Sequence, residues 1–312
     1  EGFVRNSFKN HRTKALFAGC AAHSILPFDK SFTAAVGLMF LVAGHSTNWP
    51  VAKGGSQKIA DAMAAMLLDL GGEIVLNTKI ENYEQLPDAK AYIFDTDPHQ
   101  MIKICKNQLS DSYKSRVQKF NFGPGVFKVD FALNAPIPWR DANCLQASTV
   151  HIGGLFEEIA ASEKEIWNGK HSEKPYVLLA QQSQFDNSRS PEGKHTGWAY
   201  CHVPNGSEKD MTTIIENQIE RFAPGFKDTI LAKNTMNTQR FESYNPNYVG
   251  GAISGGASDI TQLFTRPVFR LDPYSTPNPK IFLGSASTPP GGGVHGMCGY
   301  YAALSVLKKI TG

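Results

Sequence analysis

Charge is sparse in this chain. Only 19 % of the residues are charged, and 31 Lys and Arg stand against 28 Asp and Glu, for a net charge of +3. The basic residues are scattered rather than clustered, which argues against nucleic acid as a partner. Cysteine is sparse too: five residues, at 20, 105, 144, 201 and 298, none in a C-x-x-C pair. An odd number at wide spacing reads as reduced thiols in a cytoplasmic protein, not as a disulfide framework. Long apolar runs are missing. The longest near the start, "TAAVGLMFLVAG" (33–44), is too short to span a bilayer, and the expectation is a buried helix. No transmembrane segment is expected, while peripheral contact with a membrane stays open. The opening "EGFVRNSFKNHRTK" lacks the order of a signal peptide and has no initiator Met, so the chain is expected to be a piece of something longer. There is no internal repeat and no low-complexity tract.

What is present suits a folded protein. Apolar residues make up 41 % of the 312, with 19 Phe, 10 Tyr and 4 Trp, enough for one large domain or two ordinary ones. Residues 54–97 read as helix, strand, loop, strand. Ser56 is the expected N-cap, Ile59, Met63, Met66, Leu67 and Leu70 mark one helical face, and Gly71 and Gly72 stop it. "EIVLNTKI" (73–80) and "AYIFDTD" (91–97) are the expected strands. "GVFKVDFAL" (125–133) alternates strictly, as a half-buried strand does. A charged amphipathic helix is expected over 154–168, strands over 175–181 and 196–203, and a helix over 211–222 capped by Asp210. The end of the chain reads as an apolar strand, "KIFLGSAS" (280–287), a Pro/Gly loop, and a closing helix from about Met297 to Ile310.

That loop carries the chemistry. Gly291, Gly293 and Gly296 match G-x-G-x-x-G, but a dinucleotide-binding turn needs a second strand and an acidic residue about 20 positions on. Only 16 residues follow Gly296, which counts against an NAD site. The physics of the loop stands regardless. Glycines let backbone approach a flat ligand closely. The following helix presents free N–H groups and a partial positive charge that favour a group gaining negative charge, such as a reduced flavin at its N1–C2=O edge. A plain Pro/Gly turn into the last helix is the competing reading.

Other polar residues have blander readings. Glu157, Glu158, Glu163 and Glu165 are expected on a solvated helix face. His295 and Cys298 are three apart, but a metal would want two more ligands, so none is expected. His295 is the single catalytic candidate, as a proton donor. His195 and His202 are expected to be structural, and Cys201 a small core residue. Trp198 and Tyr200 could serve a pocket or the core, and no role is assigned to His23.

Taken together, several stretches resemble one family. "NPKIFLGSASTPPGGGVHGMCGYYAA" resembles the C-terminal signature of phytoene-desaturase-like flavoproteins of the amine-oxidase superfamily. "YNPNYVGGAISGG" (244–256) resembles the loop before it. "WPVAKGGSQKIADAMAAMLLDLGGEIVLNTKI" (49–80) is similar to the family's P-x-G-G segment, and "AHSILP", "GPGVFKVDFAL", "EGKHTGWAYCHVP" and "IERFAPGF" fall in family order. The resemblance covers the whole chain but only the C-terminal part of such an enzyme. The family's opening strand, G-x-G-x-x-G turn and acidic residue have no counterpart here.

The resemblance implies an FAD cofactor and a hydride moving from a hydrophobic small molecule to the flavin. The backbone of Gly292, Gly293, Val294, His295, Gly296 and Met297 would lie along the isoalloxazine. Gly284 and Ser285 would approach the ribityl and pyrophosphate, with Ser285 standing where relatives carry an acid. Ile80 would meet the adenine through its backbone, with Thr96 near the same end. Gly54 and Gly55 would close the cofactor pocket, and Trp49, Tyr248 and His295 would face the substrate. The fold class implied is mixed α/β. A discontinuous FAD-domain remnant would span 49–104 and 258–312, and a substrate domain with a mixed or antiparallel sheet and flanking helices would span 1–48 and 105–257. From a different class, the chain reads alternatively as a non-catalytic binding module or as half of a split flavoprotein. Without its βαβ unit the remnant is expected to expose apolar surface and to form a homodimer or rearrange its edge.

Overall fold

The computed structural model describes residues 1–311. In chain order the strands are β1 (Tyr92–Phe94), β2 (Gly125–Leu133), β3 (Thr149–Ile152), β4 (Val177–Ala180), β5 (His195–Val203), β6 (Ile230–Met236) and β7 (Ile281–Leu283). The helices are α1 (Gly2–Ser7), α2 (His11–Ala21), α3 (Thr33–Ser46), α4 (Gln57–Asp69), α5 (Pro98–Ile104), α6 (Asp111–Val117), α7 (Phe156–Trp167), α8 (Thr212–Phe222), α9 (Thr238–Tyr244), α10 (Ile260–Leu263) and α11 (Met297–Thr311). The architecture is mixed α/β, as expected.

Five antiparallel strands form one sheet in the order β3-β4-β5-β2-β6. The alternation in β2 turns Phe127, Val129, Phe131 and Leu133 to one face, where α8 covers them with Ile215 and Ile219. Each such buried side chain contributes about 1.5–3 kcal/mol relative to exposure. On the other face Lys128 lies over the Trp198 ring at 5.6 Å and reaches Asp130 at 2.6 Å. Helix α7 lies between α2 and this sheet through Phe156 and Ile159, which pack with Phe17, Phe28 and Tyr176. The N-cap of α8 is Met211 rather than Asp210, although the Asp210 carboxylate accepts the Thr212 N–H at 2.8 Å just before it.

The second sheet has two strands. β1 and β7 run parallel, with Tyr92 opposite Ile281 and Phe94 opposite Leu283. Helices α5 and α6 cover one side through Met101, Ile102, Tyr113 and Val117. The Asp97 carboxylate starts α5 by accepting the N–H groups of His99 and Gln100.

Three expectations fail here, two for the same physical reason. Residues 73–80 form no strand, and Ile74, Val75 and Leu76 are exposed. A strand exists only by pairing, and among the described residues nothing pairs with this one. Helix α4 forms and ends at Gly71 as expected, with φ of +81° there, yet it buries no residue at all. Its apolar face (Ile59, Met63, Met66, Leu67, Leu70) has no partner among the described residues. Helix α3 is not buried either. Only Thr33 and Gly37 are, because Gly37 admits Phe17 and Ala21 of α2 on one side while Leu38, Met39 and Val42 face outward. Ser56 does not cap α4: its backbone is already helical and its side chain makes no cap bond.

Candidate functional site

The two parallel strands end side by side, and both lead into turns at their C-terminal edge. This is where open α/β sheets bind ligands. Thr96 follows β1, and Gly284 and Ser285 follow β7, with the Gly284 N–H donating to the Phe94 carbonyl at 2.9 Å. A Cβ on Gly284 would press Ile93 at 2.9 Å and Ala302 of α11 at 3.0 Å. The glycine therefore sets the close approach of strand and helix. Ser285 is buried, and its hydroxyl accepts the Ser287 N–H.

The loop then turns twice, through Thr288 N–H to Ser285 O and Gly291 N–H to Thr288 O, both 2.9 Å. Arg266 holds it from beneath. This side chain is 1 % exposed and donates to the carbonyls of Ala286 (3.2 Å), Gly256 (3.4 Å) and Ala257 (2.9 Å). Burial lowers its pKa, and no carboxylate pairs with it among the described residues. A Cβ on Gly291, where φ is +104°, would lie 2.7 Å from its Nη1. A buried cation and the positive end of a 15-residue helix thus converge under one stretch of backbone.

That stretch, Gly292 to Gly296, is exposed. A Cβ on Gly292 would strike the Ser254 carbonyl at 2.7 Å, so the loop rests directly on the 254–257 backbone. His295 is exposed and folds back so that Nδ1 accepts the Met297 N–H at 3.0 Å, capping α11. The imidazole thereby occupies one of the N–H groups that the resemblance offers to a ligand. Cys298 lies buried beneath, within 3.4–3.5 Å of the carbonyls of Gly291 and Thr288. Among the described residues no cluster of His, Cys, Asp or Glu could hold a metal.

The remaining sequence-derived residues lie elsewhere. Gly54 and Gly55 form a loop docked on residues 186–189: Gly54 N–H donates to Asp186 at 2.6 Å, Arg189 donates to the Gly54 carbonyl at 3.0 Å, and a Cβ on Gly55 would strike Arg189. Ile80 is half-buried in the irregular 73–80 segment. Tyr248 packs edge-on to Phe241, next to Asn247, whose side chain accepts the Asp97 N–H at 2.8 Å. Trp49 lines a separate open cleft of about 1060 Å³. Its walls include Phe40, Trp139, Phe185, Phe222 and His151, and it borders the Gly54 loop through Val51 and Phe185.

Sequence reasoning missed three features. Arg266 gave no signal, because an arginine with carbonyl partners has no motif. His151 gave none either: it lies in the cleft wall with its Nε2 2.9 Å from that of His23. Glu163 was misplaced. It is not solvated but buried, with both carboxylate oxygens at 2.9–3.0 Å from His202 Nδ1. Glu158 likewise pairs with Arg221 at 2.8 Å.

No protein-family model matches the chain. Among curated proteins it is 31 % identical over 154 residues to mouse pyridine nucleotide-disulfide oxidoreductase domain-containing protein 2, covering 46 % of this chain and 26 % of that protein. It is 24 % identical over 276 residues to the neurosporene-forming phytoene desaturase of Rhodobacter capsulatus (79 % of this chain, 51 % of the desaturase). It is 23 % identical over 315 residues to the lycopene-forming phytoene desaturase of Pseudescherichia vulneris (91 % and 61 %). The chain thus spans between a quarter and about three-fifths of the length of these relatives. Among solved structures, an oxidoreductase from Methanosarcina mazei superposes with a TM-score of 0.54 at 14 % identity, over 98 % of this chain and 70 % of the other. Cyclohexylamine oxidase from Brevibacterium oxydans superposes with 0.51 at 9 % identity, over 100 % and 67 %. The fold is that of the amine-oxidase-like oxidoreductases. The resemblance to the phytoene-desaturase-like flavoproteins of that FAD-dependent superfamily is borne out by the named relatives.

Proposed function

We propose that this chain supplies the flavin-ring and substrate portions of an FAD-dependent oxidoreductase acting on a hydrophobic small molecule. The observation that carries the reading is the exposed glycine backbone at 292–296, at the C-terminal edge of the β1–β7 pair and the N-terminus of α11, with Arg266 buried below it. The donor set fits the ring half of a flavin, whose N1–C2=O edge gains negative charge on reduction. Gly292 to Gly296 would hold that edge with backbone N–H groups, and Thr96, Gly284 and Ser285 would border the rest of the cofactor. When bound, FAD would accept a hydride equivalent from a substrate carbon. His295, its Nδ1 engaged by Met297, has only Nε2 to offer a proton. The Trp49 cleft would take the apolar substrate and exclude water from it.

Toward the pyrophosphate half this chain would offer Gly284 and Ser285, and toward the adenine Ile80, without a glycine turn to anchor the phosphates. The uncovered face of α4, the unpaired 73–80 segment and the two-stranded sheet together support a missing α/β unit packing on that surface. In this reading, 49–104 and 258–312 belong to the FAD domain, and the rest belongs to the substrate domain. The same uncovered face also favours a second reading, half of a split flavoprotein or a self-associating module. A titration of the purified chain with FAD, followed by visible absorption, tests the first. A stoichiometric flavin spectrum lost in Gly292→Val, whose side chain would strike Ser254, supports the placement. Flavin binding that survives Gly292→Val overturns it.

A further inference from the structure

The cleft that contains Trp49 is apolar over most of its wall, and His151, backed by His23, is one of the polar groups that interrupt it, with Arg140 and His45. His151 stands on β3, and its Nε2 lies 2.9 Å from Nε2 of His23 in the turn after α2. Burial pushes both imidazoles down, His151 to about 4 and His23 to about 3, so both are uncharged near neutrality. Two neutral imidazoles joined Nε2 to Nε2 share one proton. The accepting ring then carries its own proton on Nδ1, while the donating ring leaves Nδ1 as an acceptor. His151 Nδ1 can therefore donate or accept, according to which ring holds the shared proton.

Nothing in the protein uses that nitrogen: it has no hydrogen-bond partner among the described residues. The space beside it exists because residue 19 is glycine. Gly19 lines the same cleft, and a Cβ there would lie 3.2 Å from His151 Nδ1. The rings are held in place on their other sides. Phe40 stacks on His23 at 4.2 Å, Trp49 lies 6.1 Å from His151, and Tyr176 lies 5.7 Å from it.

Taking the cleft as the substrate site, we propose that the His151–His23 pair anchors a hydroxyl group, so that the preferred ligand is a long apolar alcohol rather than a pure hydrocarbon. A hydroxyl both donates and accepts, and so matches either state of the pair. A carbonyl matches only one. At the pair itself a carboxylate would set a charge against two uncharged rings, which is costly, although Arg140 lines the same cleft.

The test compares 1-dodecanol with n-dodecane, each displacing Nile red from the full chain. Absolute affinities mix the hydrogen bond with the different hydration of the two probes. The alcohol-to-hydrocarbon affinity ratio, taken for wild type relative to a variant, cancels that difference. We expect the ratio to fall about tenfold in His151→Phe and in Gly19→Ala, with dodecane affinity nearly unchanged. His151→Gln, which keeps a donor and an acceptor, should retain part of it. An unchanged ratio in these variants overturns the anchor and leaves the cleft as the substrate site. If neither probe displaces Nile red, or if Trp49→Ala changes nothing, the cleft reading fails and the anchor falls with it. Should His151→Phe not fold, Gly19→Ala decides the matter.

Discussion

His202 and Glu163 face each other across the interior, Nδ1 at 2.9 and 3.0 Å from the two carboxylate oxygens, both side chains 1 % exposed. The pair joins α7 to β5, and His202 Nε2 has no hydrogen-bond partner among the described residues. Removing one member of such a buried pair leaves the other desolvated and alone.

Glu163→Leu should therefore destabilise the fold by about 3–5 kcal/mol, whereas Glu163→Leu combined with His202→Leu should recover much of that loss. Urea denaturation of the three proteins measures the coupling. Additive effects of the two single substitutions would show that the pair contributes nothing jointly.

Stability should fall in mild acid because of His23 and His151. Burial lowers both pKa values, to about 3 and about 4, well below the usual 6.5. Below pH 6.5 the unfolded chain binds protons that the folded chain refuses, so this contribution is complete above that pH and is lost as pH falls toward about 4. Melting temperatures between pH 7 and 4.5 should decline for the wild type. The decline should be shallower in His23→Gln, which keeps a hydrogen bond to His151 without titrating. Parallel slopes would contradict the assignment.

The bare face of α4 should make the isolated chain self-associate. Met63 and Met66 are 63 % and 65 % exposed, so Met63→Lys with Met66→Lys should leave folding stability within about 0.5 kcal/mol. The same change should lower the sedimentation mass at high concentration toward that of a 34.1 kDa monomer. A wild type that is monomeric at high concentration would remove the basis for a homodimer.

Much of the fold was legible in the sequence wherever a pattern carries its own reason. The alternation of 125–133 demanded a half-buried strand, and Gly71 demanded the end of α4. The glycines of the 288–296 loop announced backbone open to close approach before a helix, and 292–296 stands exposed there, while Thr288 and Gly291 are buried. Legibility failed where an element needs a partner. Residues 73–80 have the composition of a strand and, among the described residues, no neighbour to pair with, and α3 is apolar all round while only one side meets α2.

The sequence by itself determined the local elements, the glycine cradle and the family resemblance, because these depend on residues close together in the chain. Only the tertiary structure decided that Glu163 is buried against His202, that Arg266 lies under the cradle, and that His151 meets His23 across 128 positions. Those contacts follow from which surfaces the sheets and helices bring together, and the desolvation that gives each its energy exists only once they have met.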